Sequence, residues 1–209
     1  MVLEEMGLAL SKGQSNEVMD LVRKAIDAGI DVKEILNEGL LNAMSAIGVK
    51  FKNNEVFVPE VLIAARAMNA GLTVLEPLLV DADVEPTGKI VLGTVKGDLH
   101  DIGKNLVAMM MKGAGFEVID LGVNVDSSKF IDKAEEVGAD IICMSALLTT
   151  TMSNMKFVIE ELEERGLRDK YIVMIGGAPV TTQFANQIGA NAYTTDASSA
   201  ATTAKELLN

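Results

Sequence analysis

The chain has 209 residues, of which 49% are apolar and 23% are charged, a composition typical of a folded globular protein with one domain or two small ones. Its 30 acidic residues outnumber the 18 lysines and arginines, and a net charge of -12 without a basic patch argues against binding to nucleic acid or to an anionic membrane. Cys143 is the only cysteine, which excludes an intramolecular disulfide and suits a reducing compartment. Since the first residues form no basic leader and no apolar run reaches the ~18 residues of a membrane span, we expect a cytoplasmic protein.

Helical periodicity dominates the first part of the chain. Four apolar stripes are interrupted by the segments DAGID and KNNEV, and Pro59 stands near the first turn of the fourth stripe. Four amphipathic helices with short connections predict a small helical bundle over residues 1–82, and core packing is the simplest role of its apolar residues. The stripes consist of Leu3, Met6 and Leu10; Val18, Leu21, Val22 and Ala25; Val32, Ile35, Leu36, Leu40, Ala43, Met44, Ile47 and Phe51; and Val58, Val61, Leu62, Ala65, Met68, Leu72 and Leu75.

The pattern changes after DADVEPTG at 81–88, an acidic segment without periodicity, and we place a linker at 83–88. Short, continuously apolar runs then alternate with helical stretches, as in parallel strands that helices cover on both faces. The predicted fold class is therefore α/β: an N-terminal four-helix bundle followed by a Rossmann-like (flavodoxin-like) five-stranded parallel sheet over 89–209. The predicted strands are 89–95, 116–122, 140–146, 171–177 and 191–196, and the predicted helices lie near 102–113, 127–137, 151–166, 179–188 and 197–208.

The loops that follow the predicted strands indicate where a ligand would bind. A sheet of this kind most often has the strand order 2-1-3-4-5, and ligands bind beyond the carboxyl ends of the strands, where the order reverses. KGDLHDIG follows the first strand and SALLTTT the third, so these loops would lie side by side, with GGAP of the fourth strand at the same rim. Gly176 and Gly177 leave room there for a large group against the backbone.

His100, the only histidine, lies between Asp98 and Asp101 in the first of these loops. In extended backbone Asp98 and His100 point to the same side, and a carboxylate beside an imidazole can fix its tautomer and direct the opposite nitrogen toward a metal. Alternatively, Asp98 or Asp101 caps the next helix and His100 is a solvated loop residue. The residues alone leave both interpretations open.

Other ligand motifs do not fit. A phosphate-binding loop has four residues between its first Gly and the Gly-Lys pair, whereas five separate Gly97 from Gly103, and Asn105 follows Lys104 in place of Ser or Thr. No Gly-x-Gly-x-x-Gly opens the helix after the first strand. One histidine and one cysteine are too few for a structural zinc site. Cys143 lies in an apolar strand, which favours a small buried hydrophobe over a nucleophile.

Three motifs on the predicted rim resemble, in order and spacing, the signature of cobalamin-binding domains that hold the cofactor base-off with a histidine on cobalt. They are Asp98-x-His100-x-x-Gly103, Ser145-x-Leu147 and Gly176-Gly177. FKNNEVFVPEVLIAARAMNAGL is similar to the helical cap that precedes this domain in methionine synthase and in corrinoid proteins of methyltransferase systems. The resemblance therefore covers nearly the whole chain.

The resemblance implies a role for each matching residue. His100 would be the lower axial ligand of cobalt, Asp98 would hydrogen-bond its other nitrogen, and Thr151 stands where methionine synthase has the serine that completes this relay. For Phe51 and Val58 in the helical cap, simple packing in the bundle is the alternative role. The other residues implied to bind the cofactor are Gly97, Asp101, Ile102 and Gly103 in the histidine loop; Ser145, Leu147 and Thr149 around the nucleotide tail; Gly176, Gly177, Asp196 and Ala197 at the ends of the last two strands; and Phe51 and Val58 of the cap, over the methyl-bearing face.

The function implied is that of a corrinoid methyl carrier. A substrate:corrinoid methyltransferase would load the bound cobalamin, a second methyltransferase would unload it onto a tetrahydrofolate-type pterin or a thiol, and a reductive activase would be a third partner. Neither methyltransferase active site is visible in the sequence, so we expect a carrier subunit. Methylamines, methanol, betaines and aryl methyl ethers are donors of such systems, and the partner selects among them.

Two other functions would use the same cofactor. A cobalamin-binding regulator or storage protein would pass on no methyl group, and the acidic charge argues against a DNA-binding repressor. A cobalamin subunit of a mutase would need a separate radical-generating partner and would not need residues 1–80.

Overall fold

The computed structural model describes residues 2–82 and 84–208, and gives the backbone alone for Val80 and Asp81. Three positions of the predicted domains and linker lie outside the described residues: Met1, Asp83 and Asn209.

Two compact units make up the chain. One is Met1–Glu85 with Gly113–Gly115, and the other is Pro86–Lys112 with Phe116–Asn209. The boundary between them falls after Glu85, inside the segment 83–88 where the sequence predicts a linker.

The first unit is helical and has the four stretches that the periodicity predicts. Asp31 begins the third stretch, because its Oδ1 accepts hydrogen bonds from the backbone N–H groups of Lys33 at 2.9 Å and Glu34 at 3.3 Å. A side-chain oxygen at this position satisfies donors that have no partner within the helix. The elements are α1 (Val2–Ser11), α2 (Ser15–Asp27), α3 (Val32–Glu34), a π-helical segment (Ile35–Leu41), α4 (Asn42–Lys52) and α5 (Val58–Asp81).

The π-helical segment joins α3 to α4 where the apolar pattern indicated an uninterrupted α-helix. The backbone N–H of Asn42 donates to the carbonyl of Asn37, five residues earlier, which is the π-helical bond. One wide turn shifts the buried stripe by only about one residue, so an apolar pattern cannot reveal it. Gly39 of this segment packs against α1, since a Cβ there would stand 2.6 Å from Met6 Sδ.

Helix α5 is long and rich in apolar residues. Val58–Leu79 is 22 residues long with a mean hydropathy of 1.3, so by length and composition alone it could cross a membrane. However, a Cβ on Gly71 would stand 2.9 Å from Cγ1 of Val18 on α2, which shows close packing of the two helices. We therefore interpret α5 as the core helix of the bundle. Its buried apolar residues are Val61, Ala64, Ala65, Ala67, Met68 and Leu75.

The second unit contains the predicted five-stranded parallel sheet, in the order β2-β1-β3-β4-β5. Strand β5 is shorter than the predicted run 191–196, because Asp196 leaves the strand and its Oδ1 accepts from the backbone N–H of Ser199 at 2.8 Å, as a helix cap does. The elements are β1 (Lys89–Thr94), α6 (Ile102–Gly113), β2 (Glu117–Asp120), α7 (Ser127–Val137), β3 (Ile141–Ser145), α8 (Ser153–Glu164), a 3-10 turn (Arg168–Lys170), β4 (Ile172–Gly176), α9 (Thr182–Ile188), β5 (Ala192–Tyr193) and α10 (Ala197–Leu208).

The carboxyl ends of the three central strands lie level. Thr94 at the end of β1 pairs with Ser145 of β3, and Ser145 pairs with Gly176 of β4. Because the strands are parallel, the loops that follow them leave the sheet at one rim. The strand order reverses between β1 and β3, which is where a sheet of this type binds ligands.

Substitution of Phe130 in α7 can test the packing of the second unit. Its side chain is fully buried, and its ring lies 2.8 Å from where a Cβ on Gly93 of β1 would be. Phe130→Ala is expected to lower the free energy of unfolding by about 3–5 kcal/mol, because it removes transfer energy and leaves a cavity. Urea denaturation followed by circular dichroism measures the change. Phe157→Ala on α8 is the matched control, since that ring is 54% exposed, and it should cost no more than about 0.5 kcal/mol. Equal losses would contradict this assignment of the core.

Candidate functional site at the carboxyl rim of the sheet

The loop after β1 folds back onto the end of its own strand. The backbone N–H of Asp98 donates to Val95 O at 3.1 Å, and Gly97 has the left-handed φ of +80° that this turn requires. The buried hydroxyl of Thr94 donates to His100 O at 2.9 Å and so attaches the loop to the end of β1. The contact between Asp98 and His100 thus forms within a turn rather than along an extended strand.

Asp98 is fully buried, and its carboxylate joins the two loops on either side of the strand-order reversal. Oδ1 accepts from the backbone N–H of His100 at 3.1 Å and faces His100 Nδ1 at 2.7 Å. Oδ2 accepts from the backbone N–H groups of Leu147 at 2.8 Å and Leu148 at 3.2 Å, and from Thr151 Oγ1 at 2.7 Å. The relay of Asp98, His100 and Thr151 that the resemblance implies is therefore assembled in space.

Burial and hydrogen bonding act in opposite directions on the pKa of Asp98. Burial is the largest single influence and raises the pKa, but the hydrogen bonds from Thr151, His100 and Leu147 together outweigh it and lower the pKa well below the ordinary value. The carboxylate therefore stays ionised at neutral pH. A buried charge is tolerated here because each of its oxygens meets several donors.

These contacts decide whether Asp98 orients His100 or caps the next helix. The hydrogen-bond partners of its carboxylate lie in its own loop and in the loop after β3, so it does not cap α6. Asp101 precedes α6, and its Oδ2 accepts from Asn105 Nδ2 at 3.2 Å on the surface.

His100 presents one ring nitrogen to the rim. Its side chain is 51% exposed, while Nδ1 is held by a carboxylate that can only accept. In the neutral ring the proton therefore belongs on Nδ1, which leaves the lone pair on Nε2. Within the described part of the chain Nε2 has no hydrogen-bond partner. The geometry thus supplies an oriented nitrogen donor.

Large apolar side chains are exposed in the loop after β1, in the loop after β3 and at the start of α6. A concentration of exposed apolar groups around one polar donor is typical of a binding surface for a large ligand. A Cβ on Gly103 in the first turn of α6 would meet no atom within 4 Å, so the space beside it is open. The exposed fractions are 70% for Leu99, 78% for Ile102, 44% for Leu147 and 42% for Leu148.

Gly177 is required by the backbone at the end of β4. It has a φ of +134°, and a Cβ there would stand 1.8 Å from Ala146 O, so any side chain would collide with the main chain after β3. At Gly176 the nearest atom to a Cβ would be Thr194 O at 3.8 Å, which leaves ordinary space. Ser145 is half-buried at the end of β3, and Thr149 is exposed in the following loop. The residues predicted around the nucleotide tail therefore share this rim.

Asp196 and Ala197 lie at the start of α10. The Asp196 carboxylate accepts from Ser199 Oγ at 2.7 Å in addition to the backbone N–H of the same residue, and from Thr195 Oγ1 at 3.2 Å. Burial raises the pKa of Asp196, but these hydrogen bonds outweigh it and lower the pKa overall. Ala197 is buried. This segment is thus a capped helix start, and its role as a wall of the site stays a prediction.

Phe51 and Val58 belong to the helical unit. Phe51 lies in the last turn of α4 and Val58 begins α5, and both are half-buried. Between them Phe57 is 63% exposed. The cofactor-binding role of Phe51 and Val58 stays a prediction.

Sequence reasoning missed the groups that hold the histidine loop in place. Besides Thr94, these include Asn124, whose Oδ1 accepts from Gly97 N at 2.8 Å, and Asn154, whose Nδ2 donates to Lys96 O at 2.8 Å. No local pattern marks Asn124 and Asn154, because their partners are tens of residues away in the chain, and the bond of Thr94 goes to a main-chain oxygen that residue type does not reveal.

A buried cation next to the histidine loop was missed as well. Lys104 of α6 is buried, and its Nζ lies 2.7 Å and 2.5 Å from the two carboxylate oxygens of Asp120 at the end of β2. The ion pair attaches the first turn of α6 to the neighbouring strand. A lysine in an amphipathic helix usually faces solvent, so the sequence carries no signal for this pair.

The donor set does not suit a bare metal ion. Over the residues that the structure describes, no three His, Cys, Asp or Glu side chains cluster as metal ligands. Cys143, predicted to be a buried hydrophobe, is indeed buried, and burial raises the pKa of its thiol to about 12. One oriented imidazole nitrogen therefore fits a metal that arrives with its other ligands in a macrocycle, as cobalt does in a corrin.

Asp98→Asn tests the buried carboxylate. The amide would place N–H groups where Oδ1 or Oδ2 now accepts, so we expect a loss of about 2–4 kcal/mol in the free energy of unfolding at neutral pH. Because the folded-state pKa lies below the ~3.9 of an unfolded chain, the carboxylate contributes fully above ~3.9 and loses its contribution as the pH falls further.

The difference in the free energy of unfolding between wild type and Asp98→Asn should therefore start to narrow as the pH falls toward and below ~3.9, so that it is smaller at about pH 3 than at about pH 5, measured by urea denaturation at each pH. Asp169→Asn, at an exposed aspartate, is the control. A difference that stayed constant across this range would contradict the lowered pKa.

Comparison with known proteins identifies the ligand class. A B12 binding domain family matches residues 88–205, and a second B12 binding domain family matches residues 2–76. A corrinoid protein of Desulfitobacterium hafniense is 43% identical over 99% of this chain and 97% of its own length. A dimethylamine corrinoid protein of Methanosarcina barkeri is 46% identical, also over 99% of this chain and 97% of its own length.

A solved structure is also similar to nearly the whole chain. A chain of the methanol:cobalamin methyltransferase complex MtaBC from Methanosarcina barkeri superposes with a TM-score of 0.89 at 26% identity, covering 99% of this chain and 79% of that one. Since B12 binding families match both parts of the chain and the relatives span nearly all of it, the chain belongs to the cobalamin-binding corrinoid proteins of methyltransferase systems.

Proposed function

We propose that this protein carries a methyl group on a cobalamin that it binds base-off, with His100 as the lower axial ligand. One observation carries the proposal: a buried, ionised Asp98 holds Nδ1 of the only histidine and leaves Nε2 free in a half-exposed ring, in a loop that also exposes large apolar side chains. A bound corrinoid supplies the cobalt that takes up and releases the methyl group.

The relay would hold the His100 ring from the side opposite the metal. With Nε2 on cobalt, Nδ1 would keep its proton and donate it to Asp98 Oδ1, which stands 2.7 Å away. Thr151 and the backbone N–H groups of Leu147 and Leu148 hold the other carboxylate oxygen. The relay would thus fix the direction in which Nε2 is offered to the metal.

The surrounding residues would bind the rest of the cofactor. Leu99, Ile102, Leu147 and Leu148 offer apolar contact to a macrocycle and exclude water from the coordinated nitrogen. In this proposal the rim residues from Ser145 to Thr149, together with Gly176 and Gly177, take the detached nucleotide tail. Phe51 and Val58 would cover the methyl-bearing face from the helical unit, residues 1–82, which the linker at 83–88 joins to the cobalamin domain at 89–209.

The relatives support the choice of partners. Two of the proteins above are, by name, a dimethylamine corrinoid protein and part of a methanol:cobalamin methyltransferase complex. We therefore propose a substrate:corrinoid methyltransferase as the loading partner, a corrinoid:pterin or corrinoid:thiol methyltransferase as the unloading partner, a reductive activase as a third partner, and a cytoplasmic location for all of them.

Isotope labelling of one residue tests the ligand assignment. Protein produced with 15N-labelled histidine is loaded with cob(II)alamin, and its electron paramagnetic resonance spectrum is compared with that of unlabelled protein. Because the chain has a single histidine, a change of the nitrogen splitting from a triplet to a doublet on labelling identifies His100 as the axial ligand. A triplet in both samples would mean that the benzimidazole base stays on cobalt, and base-off binding would be wrong.

The His100→Gly variant completes this test. It should lose the doublet, and added 15N-imidazole should restore it, since the pocket below the metal would then be open to a free ligand. If the variant bound cobalamin and added 15N-imidazole gave no doublet, the assignment of His100 as the axial ligand would be contradicted.

A separate measurement distinguishes a carrier from a storage protein. Protein loaded with methylcobalamin is mixed with a corrinoid:pterin methyltransferase and tetrahydrofolate, or with a corrinoid:thiol methyltransferase and its thiol. A carrier should transfer its methyl group to one of the acceptors, whereas a storage protein would retain it with both.

A further inference from the structure

Asn124 occupies an unusual backbone conformation in the loop after β2. Its φ is +53°, and among the described non-glycine residues it shares a positive φ with Asn54 alone. Asparagine tolerates this left-handed region better than most residues, but glycine adopts it without cost. The backbone conformation alone therefore does not require asparagine at this position. What asparagine adds, compared with glycine, is its side-chain amide.

The amide and backbone of Asn124 hold two atoms of the histidine loop. Oδ1 accepts from the backbone N–H of Gly97 at 2.8 Å, and the backbone N–H of Asn124 donates to Asp98 O at 3.0 Å. The two bonds enclose the segment from Gly97 N to Asp98 O. They fix the main chain from which the Asp98 carboxylate extends, and that carboxylate orients the ring of His100.

The loop that carries Asn124 is itself firmly attached to β1. The backbone N–H of Thr94 donates to Gly122 O at 3.0 Å, and that of Val125 donates to Thr94 O at 3.0 Å. These bonds continue the pairing of β1 with β2 beyond the end of β2. Asn124 therefore connects the histidine loop to a fixed part of the sheet rather than to a mobile segment.

We propose that Asn124 is a positioning residue that sets the tautomer and direction of His100 through Asp98. The proposal rests on the proposed function only where cobalt is concerned, because the hydrogen bonds of Asn124 to Gly97 and Asp98 join atoms of this chain alone. Asn124 reaches neither the ring nor the rim by any contact described above. Its effect must therefore pass through the main chain of the loop.

Asn124→Gly isolates the side-chain bond. Glycine keeps the positive φ and the backbone N–H that donates to Asp98 O, and removes only Oδ1. Asn54→Gly is the matched control, because it makes the same change at the same type of backbone position in the helical unit. Asn124→Asp is the conservative variant, since a carboxylate oxygen can still accept from Gly97 N.

The first readout needs no cofactor. Nitrogen NMR of 15N-histidine-labelled protein in alkaline solution reports the ring tautomer of His100 without assignment, because there is one histidine. Wild type and Asn54→Gly should show a dominant Nδ1–H tautomer. Asn124→Gly should shift the ratio toward the Nε2–H form by between about twofold and tenfold, the effect of one hydrogen bond, and Asn124→Asp should restore it. An unchanged ratio in Asn124→Gly, or an equal shift in Asn124→Asp, would overturn the proposal.

The second readout separates this proposal from the proposed function. In cob(II)alamin-loaded protein with labelled histidine, the doublet should be weaker in Asn124→Gly than in Asn54→Gly, and cobalamin affinity should fall by a similar factor of about twofold to tenfold. If wild type gave no doublet, the ligand assignment would fail while the tautomer ratio still tested Asn124. If wild type gave the doublet and Asn124→Gly matched it in both readouts, the positioning role would fail alone.

Discussion

The buried charge of Asp98 is the interaction on which the site depends. An ionised carboxylate inside a protein is costly unless donors surround it, and here the donors come from two loops that are about fifty residues apart in the chain. Asp98 is stable only when the loop after β1 and the loop after β3 are both in place. The orientation of His100 is therefore a consequence of completed folding of the rim.

The sheet makes this meeting of loops possible. Parallel pairing of Thr94 with Ser145 and of Ser145 with Gly176 brings the ends of β1, β3 and β4 to one level. The backbone after β3 then runs so close to β4 that Gly177 has no room for a side chain. One parallel register thus explains why the motifs, which are far apart in sequence, share a rim.

The strands and the rim loops could be predicted because apolar patterns and turn residues are local, and the strand order was predicted because most five-stranded sheets of this kind share it. Periodicity could not distinguish the π-helical turn at Ile35–Leu41 from an α-helical one, and it overestimated β5, where Asp196 caps a helix instead of continuing a strand. The Asp98–His100 pair was visible as a spacing of two residues.

The residues that hold the histidine loop in place could not be predicted from the sequence, for a different reason. Thr94, Asn124 and Asn154 act through hydrogen bonds to main-chain atoms, and those bonds leave no trace in residue type or spacing. The role of Thr151 was inferred from a resemblance, not from its surroundings. Its contact with Asp98 supplies the physical reason, since a hydroxyl of either Ser or Thr can donate to a buried carboxylate.

The relay consists only of residues of this chain, and this has an energetic consequence. Orienting a loop and a side chain during binding costs conformational entropy, so a donor that folding has already oriented leaves more of the contact energy available for affinity. A single imidazole could not retain a bare metal ion, but it can add one directed bond to a cobalt that a macrocycle already holds. The protein therefore needs only one histidine, provided that Asp98 and the main chain around it determine where that histidine points.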